Sequence, residues 1–373
     1  MKITDIQAIP LTIPLKETAP ASTSGVASGY HVLVKVFTDE GIVGYGEAWR
    51  LTPGAMCLFI EEALKPQLIG QNPMQVERLW DLLYSATFLY GRKGFALHAI
   101  SGVEIALWDI IGKCRNLPVY EMIGGLGRDK IKAYASLPRY QTPEDVSLAA
   151  RRCVGEGYSA LKIHQHDLES VKAVREAVGP GIVLMLDVNG AWTPRQAVEN
   201  SRVLKEYGYL WLEEPISPMD DYDGLAYVKD KSQVLIASGE NEYTLQGFKE
   251  LITKRAVDVI QPDATKSGGI WVCRKIFALA EAWNVGVATH SYFFGPGIAA
   301  TIHLALSHTR IEYVEMHALP LVASFIQPPL RPEKGYITVP AKPGLGIEID
   351  EDVVRRHPYT GMSSSLSLTW VKP

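Results

Sequence analysis

Three carboxylates recur at nearly equal spacing in the middle of the chain. Asp187, Glu213 and Glu240 each end or follow a short apolar run. Any one of them could simply cap the helix that follows it. Three in phase, with no cysteine beside them, instead favour hard oxygen ligands for Mg²⁺, with coordination positions left for water or substrate. The pattern therefore predicts a magnesium site.

Two polar pairs accompany these carboxylates. Asp263 and His290 end the next two apolar runs, and a carboxylate beside an imidazole orients it and raises its basicity, as a general base requires. A purely structural His–Asp pair is the alternative. Lys162 and His164 are two residues apart, so on a strand both face one side. Two buried cationic groups need an anion, which a substrate carboxylate would supply, although Lys162 could also extend to a barrel rim.

Four more polar residues are candidates for contact with the substrate or the metal. Glu315 could donate a hydrogen bond to an oxyanion if it is protonated, or it could pair with Lys266 or another cation. Ser136 and Asn189 are plausible contacts, but turn chemistry explains each of them almost as well.

The residues that could shape the rest of the pocket leave alternatives open. Tyr292, Phe293 and Phe294 could wall the pocket on one side or pack beneath the rim. Arg50 and Arg139 could meet a distal carboxylate of the substrate, or they could be solvated loop residues. The sequence does not decide between a monoacid and a diacid.

These parts suit one kind of chemistry. A proton α to a carboxylate is very weakly acidic, so its removal needs an ene-diolate that is strongly stabilised. A divalent cation and Lys162 would supply that charge stabilisation. His290 and His164 would lie on either side of the α-carbon. One would abstract the proton, and the other would return a proton or protonate a leaving hydroxyl.

A repeating pattern of strand and helix would place these residues together. From Lys162 to Glu315 the polar positions follow one another roughly every 25 residues, the length of one βα unit. Eight such units would form a (β/α)8-type barrel, which carries catalytic groups at the carboxyl ends of its strands. The eight predicted strands are Ile131–Ala135, Ala160–Ile163, Ile182–Leu186, Tyr209–Leu212, Val234–Ala237, Asp258–Ile260, Gly286–Ala288 and Ile311–Val314.

The segments before and after the predicted barrel lack this repeating pattern of strand and helix. Residues 1–125 mix strands with helices, among them a predicted helix over Pro53–Gly70, and form a predicted α+β unit. Residues 126–325 hold the barrel. Residues 326–373 are rich in Pro and Gly and then β-prone over Leu366–Val371, and we expect them to pack back on the α+β unit.

Composition narrows the classes of function. Of the 373 residues, 47% are hydrophobic and 21% charged, and the net charge is −4, which is ordinary for a globular protein and argues against nucleic acid as a partner. The N-terminus lacks an apolar run of signal-peptide length, and stretches such as Gly181–Leu186 and Lys275–Ala280 are far too short to span a bilayer. The scattered cysteines suggest reduced thiols. We expect a cytoplasmic protein with a small-molecule substrate.

At these residues the chain resembles the enolase superfamily, specifically its mandelate racemase subgroup (mandelate racemase/muconate lactonizing enzyme-like proteins). The likeness extends over essentially the whole chain, and its motifs keep the family's order. The matching motifs are Lys162-Ile-His164, Asp187-Val-Asn189, Glu213-Glu214-Pro215, Gly239-Glu240-Asn241, Pro262-Asp263 to Gly268-Gly269, His290, Glu315 and the helix signature over Ile105–Lys113.

The resemblance implies an α/β fold: a (β/α)7β TIM-like barrel with an N-terminal α+β capping domain that the C-terminal tail completes. It implies Asp187, Glu213 and Glu240 as Mg²⁺ ligands, the Asp263–His290 dyad as an acid/base, and Lys162 and Glu315 as partners of the substrate carboxylate. Two capping segments, Glu17–Gly29 and Trp49–Gly54, would close over the substrate and set specificity. A homo-oligomer, an octamer or a dimer, is also implied.

Two departures from the subgroup matter. His164 stands where the second lysine of Lys-x-Lys is usual, which leaves it as acid, base or hydrogen-bond donor. The segment Ser291–Gly297 is longer than the pattern requires. The function this predicts is dehydration of a sugar acid to a 2-keto-3-deoxy acid. A racemase, epimerase or cycloisomerase is the alternative within the family, and a glycoside hydrolase using Glu213 and Glu240 or a non-catalytic protein are alternatives outside it.

Overall fold

A computed structural model describes residues 1–16 and 29–361. Two of the predictions fall largely on the remaining residues. The capping segment Glu17–Gly29, apart from Gly29 itself, and the β-prone stretch Leu366–Val371 lie outside the described residues.

The N-terminal unit combines an antiparallel sheet with helices. Strands β1 (Ile3–Thr12), β2 (Tyr30–Thr38) and β3 (Val43–Ala48) pair in that order, and a turn after Thr38 joins the last two. The helices that follow are α1 (Pro53–Phe59), α2 (Lys65–Leu68), α3 (Val76–Gly91), α4 (Phe95–Arg115) and α5 (Val119–Met122).

The predicted helix over Pro53–Gly70 differs in detail from the structure. A π-helical stretch, Ile60–Leu64, separates α1 from α2, and the Lys65 amide bonds the Ile60 carbonyl, five residues back. Pro66 has no N–H to continue the regular ladder, which explains why the helix shifts register there.

Helix α4 is the most deeply buried helix of this unit. It is the helix among the described residues that is long and apolar enough to cross a membrane, yet 94% of its most apolar window is buried inside the protein. It packs closely on β3, because a Cβ at Gly46 would lie 1.9 Å from the Gly102 carbonyl oxygen. A side chain at Gly46 would therefore push the helix off the sheet.

The barrel consists of eight parallel strands joined by seven long helices. The first strand, β4, pairs with the last, β11, and a bridge between Thr289 and Val314 closes the ring. The (β/α)7β architecture is confirmed. The strands are β4 (Ile131–Ser136), β5 (Ala160–Ile163), β6 (Val183–Asp187), β7 (Tyr209–Glu213), β8 (Leu235–Ser238), β9 (Val259–Ile260), β10 (Gly286–Val287) and β11 (Tyr313–His317), and the helices are α6 (Pro143–Gly155), α7 (Leu168–Val178), α8 (Pro194–Glu206), α9 (Tyr222–Lys231), α10 (Thr244–Thr253), α11 (Gly269–Ala282) and α12 (Pro296–Ser307).

The C-terminal segment returns to the N-terminal unit. Its short strands are β12 (Ile326–Gln327), β13 (Tyr336–Ile337) and β14 (Glu348–Ile349), and it ends in α13 (Glu351–Arg356). Glu351 pairs with Lys35 of β2 at 2.5 Å, and Pro358 bridges Leu11 of β1. Strand β13 also adds to barrel strand β4, so the segment touches both parts of the molecule. The domain boundaries at 125 and 325 stay predictions.

Candidate active site

Two layers of side chains fill the barrel near the carboxyl ends of its strands. The lower layer is apolar or aromatic and buried: Tyr134, Ala160, Met185, Trp211, Ala237, Val259, Ala288 and Tyr313. Side chains on a strand return to the same face every second residue. Positions two residues farther along therefore form an upper layer, and that layer includes Ser136, Lys162, Asp187, Glu213, His290 and Glu315.

The three predicted metal ligands converge at this upper layer, where Glu240 joins from the residue after Gly239. One carboxylate oxygen from each of Asp187, Glu213 and Glu240 lies within 4.8 Å of the others. Asp187 and Glu213 are completely buried and Glu240 is 8% exposed. Burial and the neighbouring carboxylates raise the pKa of Glu213 to about 8, against the effect of Lys162. Carboxylates this close and this dry repel one another unless a cation joins them, and an all-oxygen set suits a divalent metal.

Secondary contacts orient the three carboxylates. The Asn189 amide N–H donates to Asp187 Oδ1 at 2.8 Å, and the Trp211 indole donates to Glu213 Oε2 at 3.0 Å. The Asn241 side chain lies 3.2 Å from Glu240 Oε1. Asn189 adopts a left-handed conformation with φ 44°. It is therefore a turn residue that fixes Asp187, as well as a candidate substrate contact.

Lys162 is the cation buried among these carboxylates. Its Nζ lies 2.5 Å from Glu213, 3.0 Å from Glu315 and 3.5 Å from Asp187. Burial would lower the pKa of Lys162, but Glu213 and Glu315 raise it well above the usual value, so the ammonium stays charged. Lys162 is completely buried, which rules out the alternative of a lysine extended to the rim.

Asp263 and His290 form the predicted dyad. His290 Nδ1 lies 2.6 Å from Asp263 Oδ2, and the Thr265 backbone and hydroxyl hold the other carboxylate oxygen. Nδ1–H is therefore the donor to Asp263, and Nε2 faces Glu240 at 3.1 Å. Burial lowers the pKa of His290, whereas Glu240, Glu315 and Asp263 together raise it to about 9. A cation on Glu240 would offset that carboxylate's charge and bring the imidazole towards the range of a base.

His164 faces the triad from the side of Asp187. Its Nδ1 lies 2.5 Å from the Leu137 carbonyl oxygen, and its Nε2 lies 3.2 Å from Asp187 Oδ2. The Arg139 side chain donates to the His164 carbonyl at 2.7 Å. Both histidines thus bond through Nδ1 to a fixed acceptor and direct Nε2 at the carboxylates, His164 from the residue after β5 and His290 from the loop after β10.

Glu315 is a carboxylate paired with Lys162 at 3.0 Å. Burial would raise the pKa of Glu315, but Lys162, His290 and the hydroxyl of Ser136 lower it to about 2. Without a ligand, Glu315 is therefore ionised and does not donate a hydrogen bond. Ser136 is completely buried beside it.

Lys266 and Trp49 lie together at another part of the mouth. The Lys266 ammonium donates to Asn241 at 2.8 Å and stands 4.7 Å from the centre of the Trp49 ring. It lies 3.6 Å from Glu240. Trp49 comes directly after β3, so the capping unit reaches the barrel mouth here.

The turn after Lys266 is held by α4, which the sequence analysis missed. Glu104 accepts from the Ile270 and Trp271 amides, each at 2.7 Å, and thereby caps α11. Gly269 has φ +92°, and a Cβ there would lie 2.1 Å from a Glu104 oxygen. The Gly268-Gly269 pair therefore lets the capping helix approach the turn that carries Lys266.

The three aromatic residues after His290 have different roles: two pack against other rings, and one lies with polar groups. Phe293 is 3% exposed and packs on Trp49, and Phe294 packs on His31 and His317. Tyr292 is half-buried and bonds His317. Of the three aromatic residues, Tyr292 is thus the one that belongs with the polar groups.

Three further residues were absent from the predicted site or left undecided there. His317 lies two residues beyond Glu315, a signal that alternation on the strand would have supplied. Glu47 accepts from the amides of Gly295 and Gly297 at 3.0 and 3.1 Å, and no local pattern marks that contact. Arg50 is 6% exposed and is not a solvated loop residue.

Comparisons with known proteins agree with this geometry. Residues 7–124 match the mandelate racemase/muconate lactonizing enzyme N-terminal domain, and residues 144–353 match the enolase C-terminal domain-like family. The chain is 33% identical to D-galactarolactone cycloisomerase of Agrobacterium fabrum, over 95% of this chain and 98% of that protein. It is 33% identical to arabinonate dehydratase of Saccharolobus solfataricus, over 87% and 90%.

A solved structure is similar throughout its length. The 3,6-anhydro-D-galactonate cycloisomerase of Zobellia galactanivorans superposes with a TM-score of 0.86 at 31% identity, covering 96% of this chain and 99% of that one. Members of the superfamily use a divalent metal, for which the acidic triad is suited. The chain belongs to the enolase superfamily, in its mandelate racemase/muconate lactonizing enzyme group.

Proposed function

We propose that this protein is a Mg²⁺-dependent sugar acid dehydratase. It abstracts the proton α to the substrate carboxylate, expels the β-hydroxyl as water, and leaves an enol that tautomerises to a 2-keto-3-deoxy acid. The observation that carries the proposal is the placement of two imidazole Nε2 atoms at the carboxylate triad, 3.1 Å from Glu240 and 3.2 Å from Asp187. Relatives named arabinonate and D-xylonate dehydratase support the substrate class.

Each group of residues in the site has its own role in this reaction. Asp187, Glu213 and Glu240 would hold Mg²⁺, which neutralises the charge that develops on the substrate carboxylate. Lys162 adds a fixed positive charge beside the same carboxylate. His290, held in one tautomer by Asp263, and His164, held by the Leu137 carbonyl, serve as base and acid. One takes the α-proton, and the other gives a proton to the departing hydroxyl.

Glu315 changes role when substrate arrives. In the ligand-free site it is an ionised partner of Lys162. A substrate carboxylate that binds Lys162 would place a second negative charge beside it and would raise its pKa. Glu315 would then take up a proton and hydrogen-bond the carboxylate. Ser136, Asn189, Lys266, Trp49 and Tyr292 are the proposed substrate contacts.

A cycloisomerase is the second candidate. The observation that favours it is the 33% identity to D-galactarolactone cycloisomerase over 95% of the chain. Such an enzyme would use the same proton abstraction, with a ring oxygen instead of a hydroxyl as the leaving group. A cytoplasmic location and a homo-oligomer, an octamer or a dimer, complete the proposal.

Proton NMR in D₂O tests the proposal. The protein would be incubated with Mg²⁺ and a panel of sugar acids and their lactones. Consumption of an acid to a 2-keto-3-deoxy product supports the dehydratase. Ring opening or closure without loss of water supports the cycloisomerase, and α-proton exchange or inversion alone indicates a racemase or epimerase. No α-proton exchange with any compound, with or without Mg²⁺, would contradict all of them.

A further inference from the structure

Within residues 1–16 and 29–361, Arg50 is a buried cation without a carboxylate partner. It follows β3 and Trp49, and its residue is 6% exposed. Among the described residues no carboxylate oxygen lies within ion-pair distance of its guanidinium, and its Nε has no hydrogen-bond acceptor. A buried charge with an unmet donor is costly, so its position calls for an anion that the described residues do not supply.

Glu47 does not fill that need. Burial lowers the pKa of Arg50, and Tyr292 and then Glu47 oppose that effect, but both carboxylate oxygens of Glu47 are engaged elsewhere. One lies 3.1 Å from His31, and the other accepts from the amides of Gly295 and Gly297. Arg50 instead stacks on the Tyr292 ring, with its central carbon 4.2 Å from the ring centre.

The Tyr292 hydroxyl is a second hydrogen-bond donor beside Arg50, as the bonds of His317 show. The Leu319 amide donates to His317 Nδ1 at 2.9 Å, which assigns the imidazole proton to Nε2. His317 Nε2–H is therefore the donor to the Tyr292 hydroxyl. Because Tyr292 accepts that bond, its own O–H proton remains to be donated. Burial lowers the pKa of His317 to about 3, so this arrangement persists at neutral pH.

Tyr292, on whose ring Arg50 stacks, and its partner His317 both lie close to the catalytic groups. Tyr292 is two residues beyond His290, and His317 is two residues beyond Glu315 on β11, on the same face of the strand. Burial raises the pKa of the Tyr292 hydroxyl and Arg50 opposes that effect, while Glu315 and Lys162 act on it from the catalytic side. A substrate whose reacting carboxylate meets Lys162 can therefore extend towards Tyr292 and Arg50.

We propose that Arg50 and Tyr292 bind a second carboxylate, at the end of the substrate remote from the reacting carbon, so that the enzyme acts on dicarboxylic sugar acids. This inference rests on the proposed function, whose catalytic groups define the reacting end. A guanidinium N–H and a phenol O–H match the two oxygens of one carboxylate. A phosphate, with up to two charges and three acceptor oxygens, would need more than the single cation that the described part of the chain places there.

The test compares aldaric acids with aldonic acids of the same configuration. For each pair, kcat/KM is measured by NMR with Mg²⁺, and affinity is measured by calorimetry. We expect the wild type to favour the diacid about 100-fold, the gain that charged hydrogen bonds supply. Arg50→Gln should reduce that ratio to within about threefold. Arg50→Lys, which keeps the charge but not the planar donors, should reduce it about tenfold.

Controls separate a lost subsite from a lost fold or a change in total charge. Arg195→Gln removes one positive charge at a side chain that is 86% exposed, and it should leave the diacid-to-monoacid ratio at the wild-type value. Tyr292→Phe keeps the ring beneath Arg50 and should lower the ratio about tenfold. If Arg50→Gln fails to fold, judged by circular dichroism, Arg50→Lys and Tyr292→Phe decide the question.

The outcomes distinguish this inference from the proposed function. A ratio that the Arg50 variants leave unchanged overturns the subsite, whatever the enzyme does to monoacids. A diacid preference in affinity that depends on Arg50, without α-proton exchange in any acid, supports the subsite and contradicts the proposed function. Tighter binding of 6-phosphoaldonates than of aldarates, again dependent on Arg50, overturns the carboxylate assignment.

Discussion

Lys162 Nζ lies 2.5 Å from Glu213 Oε1, and both side chains are completely buried. The same ammonium reaches Glu315 and Asp187, so one lysine offsets the repulsion among several carboxylates. In a dry site, a pair of this kind holds its neighbours in place because the loss of either partner leaves an uncompensated charge.

Lys162→Met should therefore destabilise the metal-free protein. We expect the free energy of unfolding in urea, measured in EDTA, to fall by about 3 kcal/mol. Mg²⁺ should restore part of that loss, because it supplies positive charge to the same carboxylates. Lys254→Met is a matched control: its partner Asp223 is exposed, and the loss of a surface ion pair should hardly change the free energy of unfolding. Equal losses in the two variants would show that Lys162 does not balance the cluster.

Asp187→Asn should weaken Mg²⁺ binding by about 100-fold or more, because it removes an anionic oxygen from the buried triad. Isothermal titration calorimetry measures this directly. Glu206→Gln, an exposed carboxylate at the end of α8, removes the same charge elsewhere and should not change the affinity. An Asp187→Asn protein with wild-type affinity would refute the ligand assignment.

His290→Asn should lower kcat by about 10³-fold and largely spare the binding of substrate, because the imidazole acts on a proton. Asp263→Asn should also lower kcat, since the amide can no longer hold Nδ1–H and the correct tautomer is lost. Stopped-flow rates and α-proton exchange report both effects. His308→Asn, at the C-terminus of α12, is the control. Near-normal turnover in His290→Asn would exclude His290 as an obligatory acid or base.

Stability should fall in mild acid through His303. Its Nδ1 accepts from the Tyr120 amide at 3.1 Å, and burial lowers the pKa of His303 to about 4. A histidine with a lowered folded pKa contributes stability above its unfolded pKa of about 6.5, and that contribution is lost as pH falls towards 4.

Between pH 7 and 4.5 this histidine should account for about 2 kcal/mol of lost unfolding free energy. Urea denaturation of the wild type and of His303→Gln, both in EDTA, measures the difference. The variant should be less stable at pH 7 but less sensitive to pH. An identical pH dependence in the two proteins would show that His303 is not responsible.

The barrel and its polar layer could be predicted because they depend on short-range periodicities. A strand alternates every two residues and a βα unit takes roughly 25, so Asp187, Glu213 and Glu240 could be placed at one mouth from their spacing alone. The pairing of Asp263 with His290 followed in the same way, because neighbouring strand ends in a parallel barrel are adjacent in space.

Contacts between the capping unit and the barrel could not be predicted in this way. Glu47 bonds Gly295 and Gly297 across about 250 residues of chain, and Glu104 caps α11 across about 165. No local period relates such positions, since a loop of any length can bring two segments together at little additional entropic cost.

Charge states and burial were likewise decided by the fold. The sequence is equally compatible with a solvated Arg50 and with an Arg50 that lies in a pocket. It is also equally compatible with a protonated and an ionised Glu315. The structure buries Arg50 outside ion-pair distance of every carboxylate in the described chain and pairs Glu315 with Lys162. The sequence by itself determined which groups at the ends of the barrel strands lie together at one mouth, because their spacing follows the βα period. Only the tertiary structure decided which of them are dry, charged and unpaired, because desolvation and Coulomb energies depend on distances between residues that are remote along the chain.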